Sequence, residues 1–427
     1  MRQGTGRLGG AYWRLWWANA VSTVGDGVFI AALPLLAVTI TRSPELISGV
    51  AVASYAPWLL VSLPAGVLVD RYDRARLMRI AQLVQGAVVL VITVLVATGS
   101  ADIVLLCVAG FCLGSAEVVF SNAAQSFLPR LVRPDQLARA NGNQYVVQTV
   151  GQLFVGPPAG SVLFAVMKAL PFGVDAGSFA VSAALLTRLP AGIANARPVV
   201  ARSVDARSVD ARPVVAPDGL LVSIRAGLSW LFRQRMLRLM AVLLGVNNFC
   251  GQMGMATMVL LATQTLHVGA RGYGLLLSAS AVGSVTGGLV NPVLTRRIGQ
   301  LPSLIVASVA NAAIYVGIGL APSAYVVGGL FVVSGFAVTM WNVVTVTLRQ
   351  QIVPDDLRGR VNSAYKMLGW GLMPLGALAG GLVAEAAGLR APYIVAGVLR
   401  AVALVAIVPA LLAAGRALAK PEPAMAA

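Results

Sequence analysis

The chain has 427 residues, 58% of them hydrophobic and only 11% charged, with a mean hydropathy of +0.82; ordinary soluble domains carry about 25% charge. That composition excludes a soluble globular protein, because even a large core leaves much of a chain in water, and it makes a lipid bilayer the natural solvent. The formal net charge of +17 raises nucleic acid as a partner, and the placement of the charges excludes it.

A membrane-spanning helix needs about 20 mostly apolar residues. By that measure twelve runs qualify: 15–41, 46–69, 77–98, 102–127, 142–167, 172–189, 238–264, 272–295, 302–321, 324–347, 361–385 and 391–414. They are too long and too evenly apolar for barrel strands, so the expected fold is all-α. The first run is too long for a cleavable leader and is followed by more of its kind.

With both termini in the cytoplasm, Arg42, Lys168, Arg271 and Arg390 fall in outer loops and Arg400 falls within the last span; the rest of the 32 Lys and Arg lie inside. Basic residues hold loops on the cytoplasmic side, so the positive charge reports orientation. The 29 Arg against three Lys point to a GC-rich bacterial genome, and the expected location is the bacterial cytoplasmic membrane.

Between spans six and seven, residues 196–215 read ARPVV ARSVD ARSVD ARPVV. Low complexity, alternating charge and two prolines predict a disordered cytoplasmic tether. Beyond it, residues 219–235 place Leu221, Ile224, Leu228 and Leu231 on one helical face, with Arg225, Arg233 and Arg235 suited to headgroups. This predicts an interfacial helix. The expected division is a six-helix bundle over 1–190, a linker over 191–220, and a second bundle with its preceding helix over 221–427.

The halves repeat each other. A shift of 220 residues pairs Asn122 with Asn342, Pro134 with Pro354, Asp135 with Asp355, Leu137 with Leu357, Tyr145 with Tyr365, Gly156 with Gly376, Ala159 with Ala379 and Gly160 with Gly380. A shift of 225 pairs Leu35-Leu36-Ala37 with Leu260-Leu261-Ala262, and Arg71 with Arg296. Twelve spans in two six-helix bundles, related by a pseudo-two-fold along the membrane normal, is a recurrent transporter plan with its substrate site between the halves.

The turn after span two, Gly66-Val-Leu-Val-Asp70-Arg71-Tyr-Asp73-Arg74, resembles the signature loop of the major facilitator superfamily. The resemblance covers nearly the whole chain and is closest to the drug and siderophore exporter branch, with macrolide-efflux and enterobactin-exporter-like proteins. Asp73 stands where the superfamily usually has Gly, and Ala75 where a basic residue is usual. Gly156-Pro157-Pro158-Ala159-Gly160 on span five is similar to the antiporter motif, without its leading and second terminal glycines. Span four has Gly110 where the usual arginine would stand, which sets the common proton-relay scheme in doubt. The resemblance implies that Asp70 faces the N-terminus of span eleven, near Arg358 and Arg360. Contacts among Gly66, Asp70, Arg71, Asp73, Arg74, Arg358 and Arg360 would then latch the cytoplasmic side when it shuts.

A charge at the centre of a membrane helix costs roughly 2.5–3.5 kcal/mol. Asp26, Glu117 and Arg400 lie deep; Asp175 lies nearer the outer end of span six. Asp26, between Gly25 and Gly27, is the first candidate proton carrier, since a carboxyl there can load and release a proton as its surroundings open and close. The alternative is a carboxylate hydrogen-bonded for packing alone. Glu117 can share the proton or neutralise a cationic substrate. Arg400 pairs with one of these carboxylates or snorkels outward. Asn122, Asn342, Trp341, Tyr145 and Tyr365 are candidate cavity residues, each with ordinary packing as the alternative.

The expected function is a proton-coupled exporter of a small, largely apolar molecule, working as a monomer in the bilayer by alternating access. The alternative is a facilitator or importer of a metabolite. There is no catalytic cluster, no metal set around the single His267, and no Gly-x4-Gly-Lys-Ser/Thr phosphate loop, so neither enzyme nor ATP-driven chemistry is expected, and no cofactor or metal.

Overall fold

The computed structural model describes residues 8–189, 229–353 and 358–419. The expected linker and most of the interfacial helix lie outside these; residues 229–233 are helical, with Leu231 buried.

The chain is an all-helical membrane protein. Eleven helical stretches among the described residues are individually long and apolar enough to cross a bilayer. The twelfth crossing, span two, is broken. It runs as Pro44–Leu60 and Ser62–Arg71, interrupted at Val61, where Pro64 has no N–H to bond the Leu60 carbonyl four residues before it. Span one is Gly10–Ile40, span three Arg74–Ala97, span four Ile103–Leu131 and span six Leu170–Thr187. Span eight is Ala270–Ile298, span nine Gln300–Leu320, span ten Ala324–Ile352 and span twelve Ala391–Ala419.

Three spans are composite. Span five runs as Leu137–Val147, a π-helical stretch Gln148–Val155, and Gly156–Val166. Span seven joins Arg235–Met255, Met258–Leu260 and a π turn Leu261–Thr265. Span eleven joins Arg358–Gly371 and Met373–Ala387. Prolines at the start of a segment, Pro157 and Pro374, mark two of these junctions. Wide π turns absorb backbone that proline cannot bond in the α pattern.

The repeat does the same structural work in both halves. Gly156 and Gly160 of span five lie against the backbone of Gly27 and Val28 on span one. Their counterparts Gly376 and Gly380 lie against Phe249 and Met253 on span seven. A Cβ at Gly160 would collide with the Val28 carbonyl, and one at Gly380 with the Met253 carbonyl. Small residues four apart let membrane helices close on each other where no hydrophobic effect drives them together. Large side chains face lipid, as with Leu289 at 75% exposed and Val405 at 74%.

The halves share one core on one side of the membrane and separate on the other. Toward the ends of spans one and seven, residues 31–37 and 258–262 belong to a single apolar cluster with Phe172, Tyr273 and Tyr393. Toward the face that carries the termini, each half has its own cluster, one around Tyr12, Met78 and Phe127, the other around Met240, Trp341 and Val344. The inter-half packing follows suit. Pro44–Leu60 of span two lies on span eleven and span five lies on span eight, while Ser62–Arg71 packs on span four of its own half. The molecule is closed at the face away from the termini and open at the face that bears them.

Candidate functional site

The opening is a chamber of about 540 Å³ in the first half. Its deep wall carries Asp26, Ser22 and Thr23 of span one, Glu117 of span four and Gln152 of span five. Its mouth reaches Leu128, Pro129 and Leu137 at the terminal face. Among the described residues that line it there is no Lys or Arg. Trp370 of span eleven closes it from the other half.

The two carboxylates are held differently. Glu117 accepts from the Gln85 amide at 3.2 Å, and Gln85 in turn accepts from Gln82 at 3.3 Å. Both glutamines are buried on span three, so the amide pair fixes Glu117 from behind. Asp26 lines the same cavity as Glu117, and Asp175 lies against its chain neighbour Gly25. Among the described residues the one ion pair within 4.0 Å is Arg133–Asp135 at 2.8 Å, on the surface. Both carboxylates line the chamber, Glu117 against an amide, and among the described residues neither has a Lys or Arg within 4.0 Å.

The mouth is built by clamps between span one and the first part of span five, Leu137–Val147. The Asn19 amide donates to the Gln144 side chain at 2.7 Å, and the Tyr12 hydroxyl donates to the Ala140 carbonyl at 3.2 Å. Gln144, Tyr145 and Gln148 then line one wall.

Above the chamber the halves meet. The Trp58 and Trp370 rings lie 4.2 Å apart at 61°, across the interface. The Ser278 hydroxyl of span eight donates to the Phe154 carbonyl of span five at 3.2 Å. Beyond this roof a smaller cavity of about 190 Å³ lies between spans one, two, seven and eight. It is walled by Phe29, Ile30, Leu33 and Tyr273, with Tyr55 and Gln252 as its polar pair.

The structure sorts the residues singled out from sequence. Asp26, Glu117 and Tyr145 share the chamber. Arg400 does not pair with either carboxylate. It is 7% exposed in the second half, donates to the Asn247 carbonyl at 2.8 Å and lies 3.8 Å over the Tyr315 ring. Its Nε and Nη1 are buried without partners. Trp341 is buried in the second half's own core. Tyr365 is also buried there; its hydroxyl donates to the Met240 carbonyl at 3.3 Å and its ring carries Arg349 at 4.5 Å. Asn122 and Asn342 are not among the chamber's lining residues. Gly156, Pro157 and Gly160 are buried between spans one and eight.

In the charged turn, Asp73 is the N-cap of span three, accepting from the Arg76 amide at 2.7 Å. Arg74 donates to Ser126 of span four at 3.0 Å, and Arg71 is exposed. Gly66 sits in the second piece of span two, Ser62–Arg71. The side chains of Asp70, Arg358 and Arg360 lie outside the described residues.

Sequence reasoning passed over Gln85, Asn19, Gln144 and Trp370. Amides inside apolar runs were the available signal for the first three. Asp175, expected nearer the end of span six, is the sixth residue of that helix and is 1% exposed, against Gly25.

The profile of a family described as transmembrane secretion effectors matches residues 9–424. The multidrug efflux pump Tap of Mycobacterium tuberculosis is 26% identical over 384 residues, covering 88% of each chain. An uncharacterised MFS-type transporter of the same organism is 27% identical over 380 residues, covering 84% of this chain and 81% of that one. Among solved structures, a bacterial homologue of the human lysosomal transporter Spinster, inward-facing and occupied, superposes with a TM-score of 0.72 at 14% identity, covering 97% of this chain and 98% of that one. A bacterial homologue of the iron transporter ferroportin in an inward-facing state gives 0.71 at 15% identity, with 94% and 98% covered. The nucleoside transporter NupG gives 0.71 at 11%, with 94% and 99% covered.

Proposed function

Because the chain belongs to the transmembrane secretion effector family of major facilitator transporters, we propose that it is a proton-coupled exporter of a small, largely apolar molecule, a drug or secondary metabolite, working by alternating access. The observation that carries this reading is the meeting of Asp26 and Glu117 in one chamber that opens at the terminal face and holds no cation. Two carboxyls in one low-dielectric site cannot both ionise cheaply. A proton and a substrate that satisfies the same carboxyls therefore exclude each other, which is the requirement for exchange. The Tap resemblance supports the export direction. The apolar cavity beyond the roof suits the body of such a molecule, and the amides at Asn19, Gln144 and Gln148 suit a polar group on it.

The terminal face is cytoplasmic in this reading, from the excess of Lys and Arg there. The site lies within one chain, so a monomer suffices. The charged turn around Asp70, with Arg358 and Arg360, closes that face when the chamber opens outward, and 191–220 tethers the halves.

A growth-inhibition panel in a pump-deficient host identifies the substrate, and inverted vesicles then test coupling. Accumulation driven by an imposed pH gradient, abolished when the gradient is collapsed and lost in Asp26→Asn, is the expected result. Accumulation that survives collapse unchanged overturns proton coupling. Downhill flux with no proton movement would make the chain a facilitator.

A further inference from the structure

Asp175 stands outside the chamber yet against its wall. It is 1% exposed on span six, and it is not among the residues that line the cavity. Gly25 of span one makes room for it: a Cβ at that glycine would occupy the space of the Asp175 carboxylate and the Ser178 hydroxyl. Ser178 spends its proton on the Asp175 backbone carbonyl at 2.8 Å and on Oδ1 at 3.3 Å.

The charges brought by the elements packed on span six are few. Span one brings Asp26, the neighbour of Gly25, and Arg14, whose guanidinium donates to the Arg188 carbonyl at 2.7 Å at the inner end. Span three brings Arg74, Arg76 and Arg79, all inward of Gly86, the residue that meets Phe179. Arg79 lies two helical turns inward of Gly86, about 10 Å. The last part of span five, Gly156–Val166, has no charged residue. Glu117 of span four lines the chamber with Asp26. Lys168, seven residues before Asp175 and about 10 Å along the chain's helical direction, is exposed beyond the start of span six; Asp175 thus has a serine, a carboxyl neighbour and, among the described residues, no cation within 4.0 Å. An ionised carboxylate so placed is far costlier than the neutral acid.

We propose that Asp175 is a third proton-carrying carboxyl of the transporter, sealed from substrate behind the Gly25 backbone and exchanging its proton with the chamber through Asp26. The inference rests on the proton-coupled reading and deepens it. Asp26 and Glu117 are where substrate and proton compete; Asp175 keeps a proton that substrate cannot displace by contact. The transfer is a simple hop: the Asp175 O–H bond breaks as an Asp26 O–H bond forms, and the negative charge moves the other way.

Two measurements need no substrate. Infrared spectra of the purified protein in detergent at neutral pH should contain a carboxylic-acid C=O band that exchanges slowly in deuterated water. It should vanish in Asp175→Asn, remain in Asp26→Asn and Glu117→Gln, and shift in Ser178→Ala, which removes its donor. Loss of a carboxylate band instead overturns the proposal.

The second measurement follows chamber opening against pH, with spin labels at Arg133→Cys and Arg297→Cys on the two halves. Asp175→Asn should lower the number of protons coupled to opening by about one, and Asp175→Glu should restore it. A titration unchanged in Asp175→Asn but altered in Asp26→Asn overturns this inference alone. A flat titration in the unsubstituted protein overturns the proton-coupled reading itself.

Discussion

Ser278 on span eight donates its hydroxyl to the carbonyl of Phe154 on span five, 3.2 Å away, and so ties the two halves at one of the few acceptors a membrane helix leaves open. The acceptor is free because Pro158, four residues on, has no N–H to return. The antiporter-like motif therefore supplies both a tight seam, through Gly156 and Gly160, and a hydrogen-bond acceptor for the other half. Removing the donor weakens closure at the face away from the termini. Ser278→Ala should cost that state about 0.5–1.5 kcal/mol, a roughly two- to tenfold fall in the ratio of molecules open to those closed at the terminal face, read as shortened label distances there.

The glycine seams predict a stability contrast. Gly160→Ala and Gly380→Ala each push a methyl into a backbone carbonyl of the same half. Each should cost about 1–3 kcal/mol by overpacking and lower the thermal midpoint in detergent by a similar amount. Gly177→Ala, which meets nothing within 4 Å, should leave the midpoint unchanged.

Arg400 predicts a separation of stability from transport. Its charge is buried with two N–H groups unpartnered, and buried ions are often replaced by apolar side chains without loss. Arg400→Met should keep stability within about 1 kcal/mol of the unsubstituted protein. If Arg400 serves coupling, proton-driven export falls in this variant while downhill flux survives; unchanged export would leave it as a packing residue over Tyr315.

Asp73 predicts that one carboxylate of the charged turn is a cap. Asp73→Ala should destabilise span three by about 1 kcal/mol, while Asp73→Asn, itself a good cap, should not. Export measured in Asp73→Asn isolates any role of its charge in the closure at Asp70.

The spans, their number and the internal repeat were legible because lipid imposes them: apolar length sets the crossings, and paired glycines mark where helices touch. Asp26 and Glu117 were legible because a carboxylate inside an apolar run needs a reason to be there. Depth along a helix can be read from a sequence, but the direction in which a side chain points cannot. Trp341 and Tyr365 point into their own half's core, and their repeat partners gave no warning: Tyr145 lines the chamber and Tyr365 does not. Arg400 is as deep as expected but faces spans seven and nine. Asp175 is buried despite its position near a helix end, because Gly25 admits it. The break in span two falls just before Pro64, which lay in plain view inside an apolar run.

The most direct test of the central claim is proton movement driven by substrate alone. Purified protein is reconstituted into liposomes holding a pH-sensitive dye, and a gradient of a substrate from the growth panel is imposed with no initial pH difference. Coupled exchange predicts opposite proton flow at a fixed ratio to substrate, lost in Asp26→Asn and in Glu117→Gln. Substrate movement without any proton flow would contradict it.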